Sequence, residues 1–295
     1  MKKSLLLSCL TLLLYTIQTF AQGDTTSSTE IVPTEKFVSP YTTRFWVDGP
    51  IIAGGVGLNL LGYSLIQNKK DLTPQQLASK TIDKIPFFDR SNAGWYSKQW
   101  DNISYYPFQG SFALPVITAL INKNQRQNFG QVMVLYVETM AIIGGIYTTA
   151  AGVFHRPRPF VYGDDAPLDL RMDAKSQRSF MAGHTASTTA AMIFWAKVFS
   201  DMNPDSKLRP YVWGVAIATS ASMAYMRYRA GMHFPSDNLV GLGFGAAVGY
   251  LVPHLHKTKV LGNKISVLPY GGPNSGLTLL VKLDGRPVRS LKDLK

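Results

Sequence analysis

Six apolar stretches occupy most of the chain, at roughly 49–67, 108–122, 128–154, 180–200, 211–227 and 237–256. None alternates apolar and polar residues over a useful length, so none reads as a half-buried strand. Small and aliphatic residues dominate them, and Pro and Gly punctuate the gaps. This pattern specifies an all-α fold, a bundle of six helices packed on one another. With 295 residues, 46% hydrophobic and 16% charged, the chain can bury a full core and is too apolar to be disordered as a whole. Its one cysteine, Cys9, excludes a disulfide framework and an intrachain zinc–thiolate site.

Residues 1–21 read as an export signal. Lys2 and Lys3 supply the positive start, 5–17 the apolar run, and Thr19-Phe20-Ala21 the small residues before a cleavage point. The rival reading is an uncleaved anchor, but a run of 13 residues is short against the roughly 20 a span needs. Cleavage removes Cys9, Lys2 and Lys3, so the net charge falls from +12 to +10 (12 minus 2). The mature chain then has no thiol and depends on helix packing for its stability. Residues 22–39, rich in Thr, Ser, Glu and Pro, read as a flexible lead-in to a helical domain at 40–256. Thr73-Pro74 starts a short helix expected to run to Ile85, and an aromatic-rich connection follows over 86–106. Within 257–295, two short runs around Gly271-Gly272-Pro273 carry a β-hairpin signal before a basic tail.

Three polar clusters sit at the ends of these helices. The first is His155-Arg156-Pro157-Arg158-Pro159, after the third stretch. The second is Ser179 to Thr185, with Gly183-His184 at its centre, opening the fourth. The third runs from Arg227 through His233 to Asp237, between the fifth and sixth. In an antiparallel bundle these three ends meet on one face. Arginines there can clamp a tetrahedral anion, and a glycine at a helix start frees a backbone N–H for it. Two histidines can serve as nucleophile and general acid. Asp237, four residues after His233, is placed to fix the imidazole tautomer, or to cap the sixth helix. The chemistry indicated is phosphoryl transfer through a phosphohistidine. Carboxylates are too sparse here for a two-metal centre, and no metal or other cofactor is expected.

These clusters resemble the tripartite signature of the type 2 phosphatidic acid phosphatase and vanadium haloperoxidase superfamily, K-x6-R-P, P-S-G-H and S-R-x5-H-x3-D, over about residues 100–256. The resemblance implies a six-helix core. It also implies that Arg158 and Arg227 bind phosphate, that Gly183 gives a backbone donor, that His184 is the general acid, and that His233 is the nucleophile oriented by Asp237. Arg156 is read as a fourth phosphate ligand. The chain departs from the signature where Ala151 replaces Lys, Met181-Ala182 replaces Pro-Ser, and Met226 replaces Ser. Arg156, His155, Lys175, Arg178 and Arg229 are the basic residues near enough in sequence to stand in.

Two functions stay open. One is an exported phosphatase for a phosphate monoester or diphosphate, with a lipid phosphate favoured by the apolar surroundings. The other is a catalytically impaired anion-binding or envelope-interaction protein on the same fold. A haloperoxidase is a distant third. A membrane-associated chain is expected, with its site on the periplasmic side, and nucleic acid is not an expected partner. The sequence leaves the oligomeric state open. Membrane topology carries a conflict. Six spans after a cleaved signal would put all three clusters in the cytoplasm, so either 49–67 does not cross or the bundle is not a conventional span set.

Overall fold

The computed structural model describes residues 37–257, 265–270 and 276–281. The residues read as an export signal, those of the lead-in up to residue 36 and the tail expected after the hairpin lie outside the described residues. Six long helices form the body: α1 (Phe45–Gln67), α2 (Lys98–Ile121), α3 (Phe129–Val153), α4 (Gly183–Met202), α5 (Arg209–Arg229) and α6 (Pro235–Leu255). The all-α expectation therefore holds for the body. Each helix matches an apolar stretch to within four residues except α2, which starts ten residues before 108. Ser97 caps it by accepting from the Trp100 N–H, so polar Lys98 to Asn102 form its first turn. Pro107 and Pro115 lie inside the same helix.

The helix opening at Pro74 ends at Ala78, not at Ile85. Thr73 and Gln76 close a reciprocal capping box at its start, and a separate 3₁₀ turn covers Ile82–Lys84. A second 3₁₀ helix, Phe87–Asn92, begins the aromatic connection. At the C-terminal end, β1 (Ile265–Tyr270) and β2 (Gly276–Val281) pair antiparallel, with Ile265 opposite Val281 and Tyr270 opposite Gly276.

Helix α4 is the centre, packed by α2, α3, α5 and α6. Sixteen of its twenty residues are buried, against four of twenty-three in α1. Its buried hydroxyls are satisfied locally: Thr189 donates to the Thr185 carbonyl and Thr185 to Asn238 of α6. Helix α1 is the outer layer and packs on α3. Both seams depend on small residues. A Cβ at Gly62 would stand 2.3 Å from the Thr148 carbonyl carbon, and one at Gly245 would stand 2.4 Å from the Ala186 carbonyl oxygen. Backbones therefore approach closely, as in helix pairs built without large interfacial side chains. Helices α1, α3 and α6 are long and apolar enough to cross a membrane, with mean hydropathies of 1.4, 1.6 and 1.3.

Candidate functional site

The three sequence clusters converge, and backbone bonds show how. The segment 156–158 runs beside 176–179, with the Arg158 N–H donating to the Ser176 carbonyl and the Ser179 N–H to that of Arg156. The Phe160 N–H reaches the Gly231 carbonyl, and the Ala182 N–H that of Asp237. Gly231 turns the chain between α5 and α6 with φ +69°, and any Cβ there would collide with the Trp95 carbonyl. Buried Asn92 ties the same turn by donating to the carbonyls of Tyr228 and His233.

His233 is buried at 2% exposure, and its Nδ1 lies 2.7 Å from the Ser179 carbonyl oxygen. A carbonyl only accepts, so Nδ1 carries the proton and Nε2 keeps the free lone pair. The expected direct contact from Asp237 to this imidazole is not made. Asp237 instead accepts from the Ser179 hydroxyl at 2.5 Å, from the Phe234 N–H at 2.9 Å and from Arg156. It thus caps the start of α6 and reaches His233 only through Ser179. Helical spacing brought the carboxylate to the right neighbourhood, and the nearer guanidinium and N–H donors took its lone pairs.

Arg156 also departs from expectation. It joins Asp237, Asp89 (2.5 Å) and Ser236 (2.9 Å), and stacks over Phe234. Asp89 is fully buried and accepts from both the N–H and the hydroxyl of Ser236. With both carboxylates on its guanidinium, Arg156 is an internal strut between the Phe87–Asn92 turn and α6, and not a phosphate ligand.

Three other arginines lie close enough to feel one another's charge. Arg158, Arg178 and Arg227 each bury an Nε–H that has no hydrogen-bond partner among the described residues. Arg227 bonds Asp101 (2.5 Å) and Ser104 (3.0 Å) of α2, while Arg158 reaches only the Met232 sulfur at 2.9 Å. Burial, then the charges of Arg227 and Arg178, bring the Arg158 guanidinium down to about 10. His184 feels all three. Burial, then Arg227, Arg158 and Arg178, hold its imidazole at about 3. Burial, with Arg158 and Arg227, also pushes His233 well below the usual histidine range. Protein carboxylates do not balance this charge. Asp101 serves Arg227, and Asp89 and Asp237 serve Arg156. The arrangement suits a tetrahedral dianion.

His184 stands on the first turn of α4, its ring 4.4 Å from that of Phe108 and 5.2 Å from that of Tyr105. Gly183 opens the helix, so its N–H is one of the donors without an intrahelical partner. A Cβ at 183 would sit 2.3 Å from the Tyr147 ring, so packing also demands the glycine.

Of the residues near enough to stand in for the missing Lys and Ser, only Arg178 joins the cluster. His155 is exposed at the end of α3, Lys175 is exposed, and Arg229 lies over Trp95 and Trp100. Ala151 and Ala182 are fully buried. Lys69 had no sequence signal at all. Just beyond α1, it donates to the carbonyls of Phe154 (2.6 Å) and Gln177 (3.1 Å), pinning the two segments that carry Arg158 and Arg178. Burial and the nearby Arg178 lower it to about 8. Ser179 and Tyr105 fell within the second cluster and the aromatic connection, but their contacts, like those of Phe108 and Asp101, arise only from packing across the bundle.

Residues 132–261 match the PAP2 superfamily, a span that includes every residue just described from Arg158 to Asp237. This part of the chain is similar to that superfamily. Two curated relatives, the decaprenylphosphoryl-5-phosphoribose phosphatases of Mycobacterium tuberculosis strains CDC 1551 / Oshkosh and H37Rv, are each 33% identical over 97 residues. The match takes in 33% of this chain and 46% of each relative, so the chain spans about half the length of the curated relatives it matches. Among solved structures, Aquifex aeolicus LpxE aligns with 59% of this chain and 98% of its own, at 19% identity and a TM-score of 0.41. Helices α1 and α2 both precede the matched PAP2 span, yet Asp101 and Ser104 of α2 bond Arg227, and Tyr105 and Phe108 lie against His184.

Proposed function

We propose that this chain is an exported phosphatase acting on a lipid-borne phosphate monoester or diphosphate at the periplasmic side of a membrane. One observation carries the proposal: three guanidinium groups with buried, unpaired Nε donors lie close to two imidazoles, of which His184 stands at a helix start. The Mycobacterium relatives are named for a phosphatase of a decaprenylphosphoryl sugar phosphate, which supports a lipid-linked substrate. Three membrane-length apolar helices support the same class.

In this reading Arg158, Arg178, Arg227 and the Gly183 N–H hold the phosphoryl oxygens. Nε2 of His233 bonds to phosphorus as the bond to the leaving oxygen breaks, and that oxygen takes the proton of His184. The bound phosphate neutralises the arginines, which lifts His184 from its low value and lets it carry that proton. Water then attacks phosphorus, gives a proton to His184 and displaces the His233 nitrogen. Asp237 acts through Ser179 as a positioning residue. No step requires a metal.

The test is phosphate release from lipid phosphates and diphosphates set against soluble phosphate esters. His233→Gln is expected to remove turnover. Arg178→Gln is expected to lower kcat/KM roughly 10–100-fold, because a lost charge-assisted bond costs about 1.5–3 kcal/mol. Vanadate, a tetrahedral mimic, should inhibit. Release no higher than in Arg227→Ala would sink the enzyme reading and favour an anion-binding protein, a reading that the loss of the signature Lys and Ser motivates. A double variant Ala151→Lys/Ala182→Ser separates the cases further, since a large gain would mean that Arg178 does not make good the loss.

A further inference from the structure

At the opposite end of α6 from the anion pocket, roughly 30 Å away at 1.5 Å per residue, lies a second buried polar cluster. Asp48 of α1, Glu138 of α3 and His256, which caps α6, bring one ligand atom each within 4.8 Å of one another. The Nε2 of His256 is 3.0 Å from Asp48 Oδ1 and 3.5 Å from Glu138 Oε2. Its Nδ1 is 2.7 Å from the Val252 carbonyl oxygen and so is the protonated nitrogen. With Nδ1 used by the carbonyl, Nε2 is the ring atom turned toward the two carboxylate oxygens, and three potential ligand atoms face one point. Among the described residues no Lys or Arg side chain pairs with Asp48 or Glu138. The nearby lysines, Lys197 and Lys257, are committed to Asp201. Asp48 Oδ2 is used by the Arg44 N–H at 2.6 Å, but Oε2 of Glu138 is buried, aimed into the cluster and without a hydrogen-bond donor. Glu138 itself is 2% exposed.

Such a group needs a cation at its centre. We propose that Asp48, Glu138 and His256 bind a divalent transition-metal ion of the Zn2+ class, with water as the remaining ligand. Ligand atoms about 2.0–2.2 Å from a tetrahedral zinc are about 3.3–3.6 Å apart; the Glu138 separation of 3.5 Å falls in that range, and the Asp48 separation of 3.0 Å lies a little below it. The imidazole argues against Mg2+ and Ca2+, which prefer all-oxygen shells. The backbone carbonyl on Nδ1 is the outer partner that metal-bound histidines usually have. The ion would join the three helices long enough to cross a membrane, α1, α3 and α6, at the end remote from the phosphate pocket. Its role is structural, and the site stands independently of the proposed phosphatase reaction.

The experiment uses the full chain, stripped with chelator and titrated with Zn2+ and with Co2+. One tightly held ion per chain is expected, with the visible absorption of four-coordinate Co2+ and a raised Tm. Glu138→Gln and His256→Gln should each weaken retention at least about tenfold, while His254→Gln, outside the cluster, should not. X-ray absorption on the wild-type metal complex gives a reading that needs no variant: one nitrogen and oxygen ligands, no sulfur. No stoichiometric ion after gel filtration, or retention unchanged in both cluster variants, overturns the proposal. So does a His256 imidazolium at neutral pH by nitrogen NMR, since a proton would then occupy the place assigned to the metal.

Discussion

At the residue scale, the candidate site trades local stability for a place to put a dianion. Arg158, Arg178 and Arg227 repel one another and hold His184 near 3 and His233 low. The sign of the consequence is definite. Unfolded, each histidine takes up its proton near pH 6.5; folded, His184 resists until about 3. Stability is therefore full above about pH 6.5 and falls as pH drops toward 3, by at most about 1.4 kcal/mol per pH unit for this group. Thermal unfolding between pH 7 and pH 4.5 should show the decline, and His184→Gln should flatten it. Added phosphate or vanadate should offset it, because a bound anion removes the repulsion. A slope unchanged in His184→Gln would contradict this account. The same scale shows what sequence could read. The convergence of Arg158, Arg227, His184 and His233 was legible because their spacing to Pro and Gly is a chain property. That Arg178 joins them while Arg156 is taken by carboxylates was not. It depends on Asp89, 67 residues before Arg156, arriving to take that guanidinium.

At the element scale, glycine seams set how closely helices approach. Gly245 faces the α4 backbone, and a Cβ there meets the Ala186 oxygen at 2.4 Å, whereas one at Gly243 on the same helix meets nothing within 4 Å. Gly245→Leu is expected to cost at least about 2–3 kcal/mol, through forced separation of α4 and α6. Gly243→Ala should be neutral or stabilising by up to about 1 kcal/mol. Denaturation of the two variants in detergent measures the contrast, and equal effects would refute the seam. Helix positions were readable from apolar patterning, with α2 as the exception. Its first turn is polar and it contains Pro107 and Pro115, so neither apolar run nor propensity marks its start. Only packing shows that this turn belongs to the helix, where Asp101 holds Arg227 and Tyr105 lies against His184.

At the scale of the whole molecule, α1, α3 and α6 carry the apolar length for membrane crossing, and α1 leaves Trp46, Leu60 and Leu61 exposed. The chain is therefore expected to stay in the membrane pellet through high-salt and alkaline washes and to enter solution with detergent; release by salt alone would overturn this. The option that 49–67 does not cross loses ground, because α1 is among the helices able to do so. The sequence alone determined the all-α class, the order of the helices and which of their ends carry cationic and imidazole groups, since apolar periodicity and motif spacing are written along the chain. The tertiary structure alone decided which arginines keep an unpaired Nε donor, that the Ser179 carbonyl sets the His233 tautomer, and that Asp48, Glu138 and His256 meet. Those outcomes are competitions between charges and donors far apart in sequence, and only packing determines which partner is nearer.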